Sequence, residues 1–314
     1  MSSKKFITAS MAAFAASASF ALNYFCGQPD NSQREYKWST CNWGSEVQFA
    51  SADLPNKPGT NDNVHARPGG YTLEVDVDAN VLSLSVGNNS EIFSNGRKIK
   101  AKQHLGVGIA LSNNSQTLMD FRNSKVEANS INYTYWSQAK QAGLGIFRLE
   151  DSVCTIKNNV ISNIPVNFSI TDIEGRPGCA ITLVGKSVLD IGGRIMMDPI
   201  ISEQPDTWTF RINLEEKNGA LPLLRVYKRS DMTIADINVT LGDSIPKGKY
   251  TLIDFQDKKT SVKNARSIRV NGGEYKLGDP IRIGSREGKL VLAKPTNSTA
   301  KDRQTANDLV LEVK

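Results

Sequence analysis

The chain has 314 residues, of which 39% are hydrophobic and 22% are charged, so a packed core is feasible and wholesale disorder is excluded. Its formal net charge of +6 comes from 38 Lys and Arg spread among 32 Asp and Glu, without a dense basic stripe. We therefore expect no nucleic-acid surface. Aromatic residues make up only 7% of the chain, so the core must consist mainly of Val, Ile and Leu.

The first 21 residues have the pattern of a secretory signal peptide. Lys4 and Lys5 form a positive region, and residues 6–22 form an Ala-rich apolar run that is short for a membrane span. Small residues permit cleavage after Ala21. A retained N-terminal anchor is the alternative. The pattern predicts a mature chain that is secreted or held at the cell surface and has no membrane span.

Residues 22–70 are predicted to form an N-terminal cap and a linker. Trp38 and Trp43 lie close to two cysteines, and aromatic residues beside cysteines in a small exported segment are typical of a core. Turn-forming residues then dominate 53–70. The alternative is that Trp38 and Trp43 form an aromatic platform for sugars, with Trp136 as a further candidate.

A short sequence pattern, called the repeat phrase below, recurs five times within the predicted body, 71–241, and indicates stacked strands. In each copy an apolar–polar–apolar triplet leads into a corner that ends in Ser. Alternation with period two indicates β-strands, and recurring strand–corner–strand units are typical of a β-solenoid. We therefore predict an all-β fold, a right-handed parallel β-helix, with the corner serines in one column. These serines are Ser90, Ser115, Ser152, Ser187 and Ser230.

Pairs of Asn occur at or just past several of these corners. Asn tolerates a left-handed backbone, and its side chain can bond to the Asn of the next coil, so we predict Asn ladders. N-glycosylation is the alternative for the first two pairs, because both match the Asn-X-Ser acceptor pattern. The pairs are Asn88-Asn89, Asn113-Asn114 and Asn158-Asn159.

Two further features of the predicted coils concern binding. The lengths between copies vary, so insertions such as 132–142 and 199–207 must lie on one side, where repeat proteins often bind partners. Glu74, Asp76 and Asp78 form one outward row. We expect this row to be a solvated face, and a bound cation is the alternative.

The four cysteines of an exported chain predict disulfides. We favour the pairs Cys26–Cys41 and Cys154–Cys179. The 25 residues between the second pair correspond to about one coil, and stacked coils about 4.8 Å apart lie within the disulfide Cα range of about 4.4–6.8 Å. The chain contains no CxxC and only two histidines, so no zinc site is expected.

Residues 242–314 are predicted to form an antiparallel C-terminal β cap, because hairpin-like turns replace the repeat phrase. Strong strand patterns occur at 250–255 and 289–292, and Asp308 to Val313 forms a final strand pattern. The segment 294–306 is polar and is expected to be a loop. Such a cap would cover the open end of a solenoid.

Several stretches resemble exported bacterial proteins with autotransporter-type passenger regions and autotransporter-associated β-strand repeats. They are Trp38-Ser39-Thr40-Cys41-Asn42-Trp43, Leu82-Ser83-Leu84-Ser85-Val86-Gly87, the segment from Gly248 to Phe255, and Asp308-Leu309-Val310-Leu311. The resemblance implies a right-handed parallel β-helix outside the cell, used for adhesion or as a scaffold, with surface polysaccharide or other surface proteins as partners. No translocator barrel follows Lys314, so we expect free secretion or assembly with partners.

The chain contains none of the common catalytic motifs: no Walker loop, GxSxG, HExxH or paired-Cys metal motif. His65 and His104 are expected at the surface. The enzyme alternative is a β-helix polysaccharide lyase or glycosidase, with Asp190, Arg194 and Asp198 as candidate residues. The repeat alignment places no acidic ladder at Asp190. We therefore predict a structural or adhesive protein without catalytic activity, cofactor or metal, and a carbohydrate-binding module is the second alternative.

Overall fold

A computed structural model describes residues 23–26, 34–41, 43–44, 57–66, 69–108, 116–134, 143–163, 178–197, 209–257, 259–294 and 307–314. The described chain is all-β apart from two short 3₁₀ turns, Met232–Ile234 and Val262–Asn264. Its strands form two long sheets in which parallel pairing dominates. The predicted all-β class with long parallel sheets is confirmed.

The described residues contain 26 strands. From the N-terminus they are β1 (Asn23–Cys26), β2 (Glu35–Lys37), β3 (Trp43–Gly44), β4 (Asn63–Ala66), β5 (Thr72–Glu74), β6 (Ala79–Val81), β7 (Ser83–Val86), β8 (Glu91–Asn95), β9 (Lys98–Gly108), β10 (Gln116–Arg122), β11 (Lys125–Thr134), β12 (Leu144–Glu150) and β13 (Val153–Ile156). They continue as β14 (Val160–Asn163), β15 (Gly178–Val184), β16 (Val188–Ile191), β17 (Ile195–Met197), β18 (Thr209–Glu215), β19 (Leu223–Val226), β20 (Ala235–Thr240), β21 (Gly248–Phe255), β22 (Ser267–Val270), β23 (Gly273–Glu274), β24 (Ile281–Ile283), β25 (Arg286–Ala293) and β26 (Asp308–Val313).

Parallel pairing stacks successive turns of the chain as coils, and each coil has up to three faces. Face 1 contains β6, β13, β16, β19 and residues 98–101, 125–128 and 253–255. Face 2 contains β1, β4, β7, β14, β17 and residues 104–108 and 130–134. Face 3 contains β2, β5, β8, β10, β12, β15, β18, β20 and β22. The chain visits the faces in this order.

Alternation along the strands decides which side chains fill the interior. On face 3, Met119 and Phe121 of β10 stack on Phe147 and Leu149 of β12, and all four are fully buried. The rings of Phe121 and Phe147 meet edge to face with centroids 5.8 Å apart. Each large apolar side chain buried in this way stabilises the fold by roughly 1.5–3 kcal/mol. The period-two pattern therefore orients the apolar side of the stacked strands toward one continuous core.

The parallel stack extends beyond the predicted body, 71–241, on both sides. At one end β1 pairs in parallel with β4, and β4 pairs in parallel with β7. At the other end β22 pairs in parallel with β20. Antiparallel strands occur outside the stack: β3 pairs with β1, and β24, β25 and β26 continue from β21. The strand patterns predicted at 250–255 and 289–292 lie within β21 and β25.

The predicted single column of five serines is wrong. Ser152 and Ser187 do stack, and the Ser152 N–H donates to the Ser187 Oγ over 3.3 Å at the corner between face 3 and face 1. Ser90 instead precedes β8 of face 3, Ser230 lies at the corner that leads into face 2, and Ser115 lies outside the described residues. Copies that look alike in sequence belong to three different corners, because the phrase can fit any strand–corner–strand step.

The predicted Asn ladder is present at one of the described pairs, whereas Asn159 accepts from the Arg194 N–H and the Asn89 N–H donates to Thr117. Asn158 donates from its side-chain amide to the Asn129 Oδ1 over 2.9 Å, one coil away. Asn89 adopts the expected left-handed backbone with φ of 60°. The pair Asn113-Asn114 lies outside the described residues. Further side-chain bonds join Asn123 to Asn95 and Asn238 to Asn213.

Of the two predicted disulfides, one is present and one is wrong. Cys26 and Cys41 are bonded, with their Cα atoms 6.0 Å apart. Cys154 and Cys179 are free thiols, and both are buried. Cys154 lies on face 1, where it stacks on Leu189, whereas Cys179 lies on face 3. A spacing of 25 residues is therefore not one coil here, and the two thiols face the core from different sheets.

Candidate functional site

A cavity of about 380 Å³ opens at the end of face 2. Here β17 is followed, in the next two coils, by bends and by the two 3₁₀ turns. The volume lies within the range of roughly 300–1,000 Å³ that is typical of small-molecule sites. The cavity is lined by Arg194, Ile195, Met196, Arg229, Ser230, Asp231, Met232, Thr233, Lys259, Thr260, Ser261 and Asn264.

Backbone-to-side-chain hydrogen bonds hold the wall of this cavity in register. The Ile195 N–H donates to the Ser230 Oγ over 3.0 Å, and the Ser230 N–H donates to the Thr260 Oγ1 over 2.9 Å. All three residues are nearly fully buried, and Ser230 and Thr260 continue the face 2 stack beyond Ile195 of β17, its last strand. An exposed cation immediately precedes each of them. These cations, which we call the cation row, are Arg194, Arg229 and Lys259.

The cation row carries unbalanced positive charge. Stacked coils are about 4.8 Å apart, so its members repel one another. No ion pair joins any of them to a carboxylate within the part of the chain that the structure describes. Asp231, which also lines the cavity, accepts from the Thr233 N–H over 3.0 Å and the Thr233 O–H over 2.6 Å. Its carboxylate therefore caps a 3₁₀ turn, and the three cations with this one acid leave the lining with a formal charge of +2 (three positive and one negative).

The same position carries no cation in the earlier coils. On face 2, the register of the parallel strands aligns Arg194 with one residue of each earlier coil. Positive charge at this position is therefore confined to the last three coils of the described stack. The aligned residues of the earlier coils are Asn23, Asn63, Ser83, His104, Ser130 and Asn159.

Hydrogen-bonding groups surround the cation row. The Ser261 Oγ accepts from the Lys263 N–H over 3.2 Å, which leaves its O–H available as a donor. Asn264 adds an amide, which can both donate and accept. The cavity thus combines cations with groups that can bond to hydroxyl oxygens.

The candidate catalytic residues do not form one site. Asp190 accepts from Arg225 over 2.6 Å, and Arg225 donates to Asp254 over 3.0 Å, so these residues form an ion ladder on face 1. Partial burial alone would lower the pKa of Arg225, but its bond to Asp254 and the charge of Asp190 raise it. Arg194 belongs instead to the cavity on face 2, and Asp198 lies outside the described residues.

A second ionic ladder occupies the outer side of face 3. The side chain of Asp120 is 1% exposed and accepts two bonds from Arg148, at 3.0 and 3.1 Å. It also accepts from Arg122 over 2.7 Å. Arg148 in turn donates to Glu150 over 2.6 Å. These charges are satisfied within the protein, so this ladder couples neighbouring coils.

The aromatic platform considered as an alternative is wrong for Trp38 and Trp43. Each tryptophan is only 3% exposed. Their ring centroids are 5.0 Å apart at an interplanar angle of 69°, within the core beside the Cys26–Cys41 disulfide. Neither ring can stack on a sugar. Trp136 lies outside the described residues.

The histidines differ from the expectation that both lie at the surface. His65 and His104 are each only partly exposed. The ring of His65 stacks on that of Phe25, with centroids 4.9 Å apart. Burial, and to a smaller extent the charge of His104, lowers the pKa of His65 to about 4. Both imidazoles are therefore neutral at physiological pH.

The outward acids Glu74, Asp76 and Asp78 each have a partner in the protein. Glu74 pairs with Lys37 over 3.3 Å, Asp76 accepts from the Ser39 N–H over 2.9 Å, and Asp78 accepts from the Lys98 N–H over 2.9 Å. Among the residues that the structure describes, no group of three His, Cys, Asp or Glu could hold a metal ion.

Four gaps in the described chain begin and end at the same corner. They follow β9, β11, β14 and β17 on face 2 and precede β10, β12, β15 and β18 on face 3. Of the predicted insertion 132–142, the first three residues belong to β11 and the rest lies outside the described residues, as does the whole of the predicted insertion 199–207. The cavity lies beside the same corner and extends from the coil of β17 over the next two coils.

Sequence patterns single out Arg194 but miss Arg229 and Lys259. The signal that could reveal them is a cation directly before a residue that faces the core at a coil corner. The distance from Ile195 to Ser230 is 35 residues, however, and from Ser230 to Thr260 it is 30 residues. Unequal coil lengths hide the alignment.

Comparisons of the chain with protein-family models, with curated proteins and with solved structures return no match. Within the described ranges, no helix has both the length and the apolar character needed to cross a bilayer. Function must therefore be inferred from the geometry of the coils and of the cavity.

Proposed function

We propose that this protein is a non-catalytic β-solenoid that serves outside the cell, or at its surface, as a structural or adhesive scaffold. The observation that carries this proposal is that charged side chains of the stack form ion pairs with one another. Asp120 with Arg148, and Asp190 with Arg225 and Asp254, pair between neighbouring coils. A carboxylate that is held in an ion pair with arginine is poorly suited to proton transfer. Ion pairs between neighbouring coils instead stiffen the stack.

The finer architecture belongs to the same proposal. We propose that the coils wind in a right-handed sense, because crossovers between parallel strands of one sheet are right-handed in about 98% of cases. The disulfide-braced tryptophan cluster near β1 and the antiparallel strands after β21 would then act as caps. Caps of this kind prevent open strand edges from pairing with other chains.

Export is supported by the N-terminal sequence and by one disulfide. The signal pattern in residues 1–21 ends shortly before Cys26, and the Cys26–Cys41 bond is of a kind that persists in oxidising compartments. The resemblance to autotransporter-associated repeats points in the same direction. Mass spectrometry of protein made in a secreting host should find a mature N-terminus at Leu22. An uncleaved N-terminus in the cytosol would contradict export.

The absence of catalysis is tested by a turnover screen of the full chain on neutral and acidic polysaccharides. We expect neither new reducing ends nor unsaturated products. Asp190→Ala should behave as the parent protein does in every assay of binding to surfaces. Turnover that depends on Asp190 would overturn the proposal and favour a polysaccharide lyase or glycosidase.

A further inference from the structure

We infer that the cavity lined by Arg194, Arg229 and Lys259 is a binding site for an acidic polysaccharide, through its carboxylate or sulfate groups. This inference rests on the proposed adhesive function and names the ligand class that the scaffold would hold. It is carried by a row of three cations in register, without carboxylate partners among the described residues, in a concave site.

The contrast with the ion ladder on face 1 supports a ligand. On face 1, Asp190, Arg225 and Asp254 alternate in sign, so each coil neutralises the next. At the cation row, like charges succeed one another over three coils, which destabilises the free protein. A bound polyanion would relieve this repulsion. The repulsion among the three cations is reduced only in the complex, and this reduction therefore favours binding.

The shape and chemistry of the row suit an extended anionic chain. With coils about 4.8 Å apart, the first and third cations are separated by about 10 Å along the stack. Arg194 and Arg229 can each bind a carboxylate or sulfate through two parallel hydrogen bonds, whereas Lys259 contributes a point charge. Ser261 and Asn264 supply groups that bond to sugar hydroxyls.

The test measures binding of the full chain to four probes by calorimetry: polygalacturonate, dextran sulfate, neutral dextran and inorganic polyphosphate. We expect polygalacturonate or dextran sulfate to bind and neutral dextran not to bind. The triple variant Arg194→Gln, Arg229→Gln and Lys259→Gln should weaken that binding by about tenfold or more. Raising the salt concentration should weaken binding to the parent protein more than to the variant.

The matched control removes three exposed cations from face 1. Lys98→Gln, Lys100→Gln and Lys125→Gln changes the net charge equally but leaves the cavity intact. This control should retain affinity within about twofold. Circular dichroism and thermal melting verify that both variants are folded. Equal losses in the two variants, full affinity in the cavity variant, or binding of polyphosphate alone would each overturn the inference.

The outcomes separate this inference from the proposed function. Turnover of any probe would contradict the non-catalytic scaffold, whether or not the cavity variant still binds. If the protein adheres to polysaccharide-coated surfaces and the cavity variant adheres equally well, the scaffold proposal stands and the cavity inference fails. Loss of adhesion in the cavity variant alone supports both.

Discussion

Asn123 and Asp151 lie one coil apart at the corner between face 3 and face 1, and both have a left-handed backbone, with φ of 48° and 49°. The Asn123 N–H donates to the Glu150 carbonyl over 2.8 Å, which holds the corners in register. Glycine occupies the same corner at Gly96 and Gly185, with φ of 70° and 64°. In these four coils one left-handed residue makes this turn, and Asn, Asp and Gly are the residues that tolerate it.

Gly185→Ala tests this corner. Alanine would adopt an unfavourable left-handed backbone, and its Cβ would lie close to a carboxylate oxygen of Asp151. We expect the free energy of unfolding to fall by about 2–4 kcal/mol, measured by urea denaturation. The control is Gly272→Ala, with φ of 82° and nothing within 4 Å of the new Cβ, which should cost only about 1–2 kcal/mol. Equal losses would show that the contact with Asp151 is unimportant.

Asp120→Asn tests the ladder on face 3. This side chain is 1% exposed and accepts bonds from Arg148 and Arg122, so loss of its charge leaves Arg148 partly buried with fewer partners. We expect a loss of about 2–4 kcal/mol in thermal or chemical unfolding. Asp190→Asn is the comparison, because Asp190 is 26% exposed and Arg225 keeps Asp254. Its loss should be below about 1 kcal/mol, and the reverse order would contradict the burial argument.

His65 should make stability depend on pH between about 6.5 and 4. Its pKa is about 4 in the folded chain, mainly through burial, so the unfolded chain binds a proton in this window that the folded chain does not. Its stabilising contribution is complete above pH 6.5 and is lost as the pH falls. The loss should reach roughly 2–3 kcal/mol at pH 4.

The measurement is the free energy of unfolding at several pH values for the parent protein and for His65→Gln. The variant should show a flatter decline from pH 6.5 to 4, and His104→Gln should show a smaller change of the same sign, because burial also lowers the pKa of His104. Parallel curves for the parent protein and His65→Gln would contradict the assignment.

Thiol labelling tests the corrected cysteine assignment. Burial raises the pKa of Cys179 to about 12, although a bond to Ser162 opposes the rise, and burial also raises the pKa of Cys154. We expect no reaction of the native chain with a thiol reagent, because both thiols are inaccessible and protonated. Two thiols should react in denaturant, and four after reduction. A peptide that links Cys154 to Cys179 would contradict the structure.

Several elements could be predicted from local sequence pattern. Alternation in the segment from Tyr250 to Phe255 and in that from Asp308 to Val313 predicts strands that are present as parts of β21 and β26. The Cys26–Cys41 pair lies within one short segment, where spacing alone is informative. The Asn corners were also predictable, since tolerance of a left-handed backbone is a property of the single residue.

The alignment of one coil with the next could not be predicted. Coil repeats of 35 and 30 residues occur in succession, so equal spacing in sequence does not mean equal position in space. The same variation placed Cys154 and Cys179 on different faces and divided the serines among three corners. The cation row was missed for this reason, although its three residues were visible in the sequence.

By itself, the sequence determined that this chain forms short strands with one apolar side and corners of Asn, Asp, Gly and Ser. Those features depend on side-chain alternation and on the backbone preference of single residues, which are local. Only the tertiary structure decided that Arg194, Arg229 and Lys259 lie in one row. The register between coils is set by packing in the shared core and by hydrogen bonds between residues far apart in sequence, and no local pattern encodes it.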